Sequence, residues 1–486
     1  MVNESSVRQK VASGFIWTGI EQLATKSLAL ILSFLLIRML RPEEFGMLAI
    51  VTSFVLIAEV LVNSGLGIAL VQKYSLTRED ENSIFFVNLI LSLILYAILF
   101  LCAPAIGRFY QNDGLVPLVR VVSLCLILFS LCIVQEAQLL RKMAFKERFR
   151  INFTALLISG VIGIGMAWHG FGVWALAIQQ LTKTAVNTCG LWLLIGWRPG
   201  LKCDFRSLWK MLKFGLNYML ATLLGKLCMS AYPLLIGKFF DGSQLGIFDR
   251  GKYYPQVIVG SVSDVFLRVM FPAFAKMQND RAALRAMFST AHRLIAFFII
   301  PTSMVLAVTA PSFVPVVMGR QWIACVPLLQ IFTLVCACIP LNMLCFHLVT
   351  SSGHSGQRLM LEIVQKFLEL SILILVIRQS LIVLAAGMAV HSVLASLISV
   401  WSCRKLINYR LIDIVRDIQT PVLLSAVAGA VAFGISLVYS GGTLGLILQL
   451  VSAVLTYIGV ALIFRVREIT FMKEYFMIMI GRGRSL

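Results

Sequence analysis

Residues 14–46 read GFIWTGIEQLATKSLALILSFLLIRMLRPEEFG. The stretch is long enough to cross a bilayer core of ~30 Å as a helix, yet it carries Glu21 and Lys26 within it. Charges at that depth are costly unless they face a partner or a wet cavity. A shift of 200 positions, without a gap, lays Lys26 on Lys226, Arg38 on Lys238, Leu35 and Leu36 on Leu235 and Ile236, and Gly46 on Gly246. One design is thus used twice: a membrane helix with a lysine near its middle, a cationic end and a glycine turn. Two such copies suit a two-lobed carrier whose midplane cavity is cationic.

Composition sets the class. The 486 residues are 59% hydrophobic, with mean hydropathy +0.91, and the apolar residues come in blocks rather than stripes. This is an all-α polytopic membrane protein. Its eleven cysteines are odd in number and lie mostly within apolar runs, as Cys125, Cys132, Cys228 and Cys345 do, with no CxxC pair. They read as small packing residues rather than a disulfide or metal framework. The first ten residues are polar and no cleavage site follows a short apolar core, so the first span is expected to be retained.

A ruler of ~20 residues per span gives about fourteen transmembrane helices, give or take two. Lys and Arg set their orientation: with the N-terminus inside, inner segments hold about 29 and outer ones about six. Both termini and the loop RKMAFKERFR are therefore expected on the cytoplasmic side. The net charge of +20 is a topology signal and an attraction for anionic membrane lipids, not a footprint for nucleic acid, since no soluble region presents it. The chain parses into an N-terminal lobe of six spans (1–196), a cytoplasmic amphipathic linker (197–213), a second six-span lobe (214–403), and a C-terminal part (404–486) with two further helices and a tail. A second amphipathic surface segment is expected over 272–293.

No catalytic set emerges, and no cofactor or metal is implied. The five histidines are scattered, and GMAWHGFG is a turn rather than a phosphate loop because no strand precedes it. A non-enzyme is expected. What remains is the charges within spans. Lys26, Lys226 and Glu59 lie near span centres, Arg250 and Lys252 open the eighth span, Glu369 is in the eleventh and His391 in the twelfth. Glu59 and His391 read as isolated titratable groups in the membrane, and so as possible coupling sites. For Glu369 and His391 a purely structural role is the competing reading.

Several stretches carry a family resemblance: RPEEFGMLAI, NSGLGIALVQK, AQLLRKMAFKERFR, PLLIGKFFDGSQLGIFDRGKYYPQ, FPAFAKMQNDRAALRAMF and VVMGRQWIACVPLLQIF, within roughly the first 360 residues. The chain resembles polysaccharide exporters of the multidrug/oligosaccharidyl-lipid/polysaccharide superfamily, the Wzx-type flippases. That resemblance implies two six-helix lobes around a central cavity lined by spans one, two, seven and eight. It places Glu21, Lys26, Glu59, Lys226, Arg250 and Lys252 as cavity residues. It implies a bacterial inner-membrane protein that moves undecaprenyl-diphosphate-linked oligosaccharide units, with other polysaccharide-assembly proteins as candidate partners. One departure stands out: where relatives show a polar pair before LIG, this chain has Tyr232 and Pro233, and Pro233 is expected to kink span seven. A drug or metabolite exporter of the same superfamily is the alternative, opposed by the lysines. A membrane glycosyltransferase or polymerase is a third, opposed by the short outer loops.

Overall fold

The computed structural model describes residues 4–466 and 468, apart from 64, 74, 75, 203, 278, 279, 440 and 441; the side chains of residues 4–21, Glu21 among them, lie outside those described. Every regular element of the described residues is helical. The chain divides into two compact units, Met1–Asp249 and Arg250–Leu486.

The first unit holds α1 (Glu4–Met39), α2 (Pro42–Asn63), α3 (Leu66–Gln72), α4 (Arg78–Tyr110), α5 (Leu115–Val122), α6 (Leu124–Ser130), α7 (Ile133–Arg141), α8 (Phe145–Trp168), α9 (Val173–Leu194), α10 (Phe205–Phe239) and the start of α11 (Gly242–Lys276). The second holds the rest of α11, then α12 (Arg281–Phe313), α13 (Cys325–Ser351), α14 (Ser355–Val376), α15 (Leu381–Ile407), α16 (Leu411–Val438) and α17 (Gly442–Ile463). Each segment expected to be a span is a helix or a run of short helices. Among the described residues nine helices are long and apolar enough to cross a membrane, ten if the run Leu115–Ser130 and Ile133–Arg141, bent by 44°, counts as one span. The fold is therefore a polytopic membrane bundle.

Local chemistry explains where the elements start. Thr77 and Asp80 form a reciprocal capping box at the head of α4, and Lys73 closes on Asp80 at 2.6 Å. Arg141, the last residue of α7, donates to the carbonyls of Leu70 and Lys73 at 2.7 and 2.6 Å, satisfying acceptors left open at the end of α3. Pro233 stands inside α10 without ending it, and Tyr232 beside it is buried and stacked on Phe248.

Neither expected surface segment is a separate helix. Lys276 ends α11 and Arg281 already begins α12, which continues to Phe313. Residues 197–202 and 204 have no helical structure, and Phe205 opens α10, which runs unbroken to Phe239. The strap is clamped to the head of α4. Gly200 N–H donates to Asn82 Oδ1 at 2.9 Å, Asn82 Nδ2 donates to Lys202 O at 3.0 Å, and Asp204 N–H donates to Ser83 Oγ at 2.8 Å. Trp197 is buried with its ring 5.6 Å from that of Phe85. Asn82→Ala removes two of these bonds and is expected to cost about 1–3 kcal/mol. A lower melting temperature in detergent and faster trypsin cleavage after Lys202 are the readouts.

Buried polar groups hold the second unit together. Gln365 Nε2 donates to Ser399 Oγ at 2.8 Å and to Ala395 O at 3.1 Å, while Asn342 Nδ2 donates to Gln365 Oε1 at 3.0 Å. Such side-chain bonds join helices where apolar contact alone cannot choose between partners. Tyr409, between α15 and α16, donates to Asp417; burial and that carboxylate push its phenol well above the usual range.

Candidate functional site

One cavity of the first unit is built on the antiparallel pair α2 and α10. Close glycine contacts flank α2 at its two ends. At one end a Cβ on Gly46 would overlap the Gly242 carbonyl oxygen, and a Cβ on Gly246 would overlap that of Pro42; each would also lie 3.1 Å from the other glycine's amide nitrogen. The contact is reciprocal at the 200-residue offset, because Pro42 corresponds to Gly242 as Gly46 does to Gly246. Backbones can approach this closely only without side chains. At the other end Gly65, in the left-handed region at φ 68°, lies against Gly215, where a Cβ would meet Gly215 Cα at 2.8 Å. Between the two, Ile50 fills the space over Gly237, with 2.8 Å from its Cδ1 to a Cβ placed there.

Near the Gly65 end lies a half-open cavity of about 230 Å³. Glu59, Asn63, Thr222 and Lys226 supply its polar wall, and Leu56, Phe129 and Met219 its apolar one. A carboxyl and an amine thus share one small space. The charged groups that act on Glu59 are Lys226 and Glu136, so the carboxylate is not isolated as the sequence suggests. Asn63 Oδ1 is buried, and no donor among the described residues reaches it. A buried amide oxygen left in that state favours a ligand that brings an N–H or O–H.

The other expected residues lie elsewhere. Lys26 is half-buried on α1, which runs along α8 with Leu32 seated against Gly160, and it is not among the side chains lining this cavity. Arg250 and Lys252 are half-buried in the second unit, the Arg250 guanidinium 4.6 Å from the centre of the Tyr253 ring. Glu21 has no described side chain. His391, also in the second unit, has Nε2 at 3.1 Å from Gln365 O, with Glu369 and Lys366 among the charges that reach it. It too has charged neighbours. Glu369 is paired with Lys366 at 2.7 Å, which fits the structural reading of that residue. Asn63 and Thr222 are missing from the sequence reading; an amide or hydroxyl in an apolar run gives no signal until its helix partner is known.

Chemically, the cavity offers a cation, a carboxylate, an amide and a hydroxyl with no activated nucleophile among them. Its volume falls below the ~300–1,000 Å³ usual for small-molecule sites. As it stands it suits a phosphate or a single polar group, and anything larger requires α2 and α10 to part.

Comparisons with known proteins place the molecule. The teichuronic acid biosynthesis protein TuaB of Bacillus subtilis (strain 168) is 25% identical over 436 residues, covering 89% of this chain and 90% of that one. The lipopolysaccharide biosynthesis protein WzxC of Escherichia coli (strain K12) is 24% identical over 340 residues, 68% of each. Among solved structures, lipid II flippase MurJ in an inward closed conformation aligns with a TM-score of 0.76 at 13% identity, covering 93% of this chain and 99% of that one. A multidrug resistance MATE family transporter of the MOP superfamily, inward-facing, aligns at 0.60 with 16% identity, over 80% of this chain and 98% of that one. These show a shared fold. The model of the family described as polysaccharide biosynthesis protein matches residues 35–327, more than half of the chain, and the chain belongs to that family.

Proposed function

We propose that this protein is a flippase that carries lipid-linked oligosaccharide units across a bacterial inner membrane for cell-surface polysaccharide, working by alternating access and not as an enzyme. The observation that carries the reading is the cavity on α2 and α10, where Lys226, Asn63 and Thr222 offer a cation and hydrogen-bonding groups to a diphosphate and the sugar next to it. Membership of a polysaccharide biosynthesis family, and the resemblance of the fold to a lipid II flippase, support the substrate class. Undecaprenyl diphosphate is the proposed carrier lipid. Its tail stays in the bilayer while the headgroup enters the cavity, and admission requires the Gly46–Gly246 and Gly65–Gly215 contacts to open at different times.

The same reading keeps fourteen spans, both termini in the cytoplasm, and lobes at 1–196 and 214–403 joined by the strap. In it Lys26, Arg250, Lys252 and Glu21 join Lys226 and Glu59 around the headgroup once the helices separate. The drug-exporter alternative loses ground because the cation in the cavity would repel cationic ligands.

Purified protein in vesicles holding a polyprenyl-diphosphate oligosaccharide on one side tests this directly. A lectin or glycosidase added to the other side is expected to reach the sugar only when the protein is present. For coupling, Glu59→Ala with His391→Ala is expected to remove the response of that rate to an imposed proton gradient. Sugar movement that depends on the protein but keeps its full proton response in the double variant excludes these two groups as the coupling site.

A further inference from the structure

A cavity of about 710 Å³ in the second unit lies among α12, the N-terminal half of α16 and the end of α17. Arg293, Arg416, Arg465, Asp417 and Glu468 supply its charged lining, and Leu423, Val427 and Phe464 are among its apolar residues; along α16 the charged positions come first and the aliphatic ones last. Along α16 the lining residues Arg416, Thr420, Leu423 and Val427 follow one another at four, three and four positions, so a single helix face passes from cationic through hydroxyl to aliphatic. At 1.5 Å per residue that passage spans ~16 Å, about the distance from a lipid phosphate into the acyl region.

The charges are unevenly matched. Asp417 and Glu468 each lie 3.9 Å from the Arg293 guanidinium, and Asp417 is further held by Ser289 at 2.7 Å and by Tyr409. Asp417 also lies 3.9 Å from His292 Nδ1, so each carboxylate already faces a basic group other than Arg416 and Arg465. Arg416 and Arg465 are exposed and have no acidic partner within 4.0 Å among the described residues. Arg465 also occupies a left-handed backbone position, φ 47°, where glycine or asparagine fits with less strain. An arginine there keeps a guanidinium at the cavity mouth. Guanidinium forks match phosphate oxygens, and the aliphatic face beyond them matches an acyl chain.

We infer that this cavity is a binding site for one anionic glycerophospholipid, its phosphate between Arg416 and Arg465 and an acyl chain along the Thr420-to-Val427 face. The site is separate from the α2–α10 cavity and does not depend on what that cavity transports. Native mass spectrometry and thermal unfolding of the full-length protein in detergent test it, with phosphatidylglycerol as the probe. Phosphatidylglycerol is expected to bind at one copy per chain and to raise the melting temperature, while phosphatidylcholine and sodium phosphate at equal concentration do neither. Arg416→Gln with Arg465→Gln is expected to weaken binding at least ten-fold, whereas Arg404→Gln, on α15 and outside the cavity lining, leaves it unchanged. If the pair does not accumulate, each single variant decides the matter, since either must weaken the phosphatidylglycerol complex. Equal binding of phosphatidylcholine, an equal shift from free phosphate, tighter binding of undecaprenyl phosphate, or unaltered binding by the arginine variants overturns the inference.

Discussion

Lys226→Ala is expected to abolish polysaccharide export while the protein still reaches the membrane, and Lys226→Arg to keep most of it. The lysine is the half-buried cation of the α2–α10 cavity, with Glu59 in the same lining. Losing one charged contact in such a place costs about 2–5 kcal/mol, or ~30- to 3,000-fold in a binding constant. Two roles are separable. If Lys226 serves only to balance Glu59, the single variant strands a buried carboxylate, membrane abundance drops, and adding Glu59→Gln restores both abundance and export. If Lys226 holds the substrate, the double variant is abundant and inactive. Lys26→Ala is expected to act in the same direction if Lys26 joins the headgroup in the open state. Immunoblots of membranes and surface polysaccharide, measured side by side, decide between these outcomes; normal export from a stable Lys26→Ala, Lys226→Ala protein ends the cavity reading.

The second large effect is expected at the glycine crossing. In Gly46→Val the first atom of the new side chain overlaps a backbone carbonyl of α11, and a carbonyl cannot swing aside as a flexible side chain can. The helix ends must separate, at an overpacking cost of about 1–3 kcal/mol or more. Gly246→Val is expected to behave alike, because its overlap is with Pro42 in the mirror-related contact. Both variants are expected to melt at lower temperature in detergent and to lose export. Gly434→Ala and Gly459→Ala, whose added methyls meet nothing within 4 Å, provide the control and leave both readouts near wild type. A Gly46→Val protein with wild-type melting and export shows that the crossing is not needed.

Much of the molecule is legible in its chain. Blocks of apolar residues at bilayer length set the membrane class and every helical segment, because hydrogen bonding within the helix is the local way to hide a backbone from lipid. Deep charges marked Lys226 and Glu59, since burying them without a partner is too costly to be incidental. The offset joining Gly46 to Gly246 was visible as well, but as a likeness between two segments and not as a contact between them. Which charges meet is another matter. Lys26 and Lys226 are equivalent by sequence, yet Lys226 shares a cavity with Glu59 and Lys26 does not line it. That outcome depends on the antiparallel register of α2 against α10, fixed where Ile50 meets Gly237 and Gly65 meets Gly215. The fate of the strap likewise turned on Asn82, an unremarkable residue in the chain whose amide meets the backbone of Gly200 and Lys202 more than a hundred residues away. Hydropathy and periodicity report what each helix presents to an average neighbour. The identity of that neighbour comes from steric fit over many residues, and only the tertiary structure fixes it.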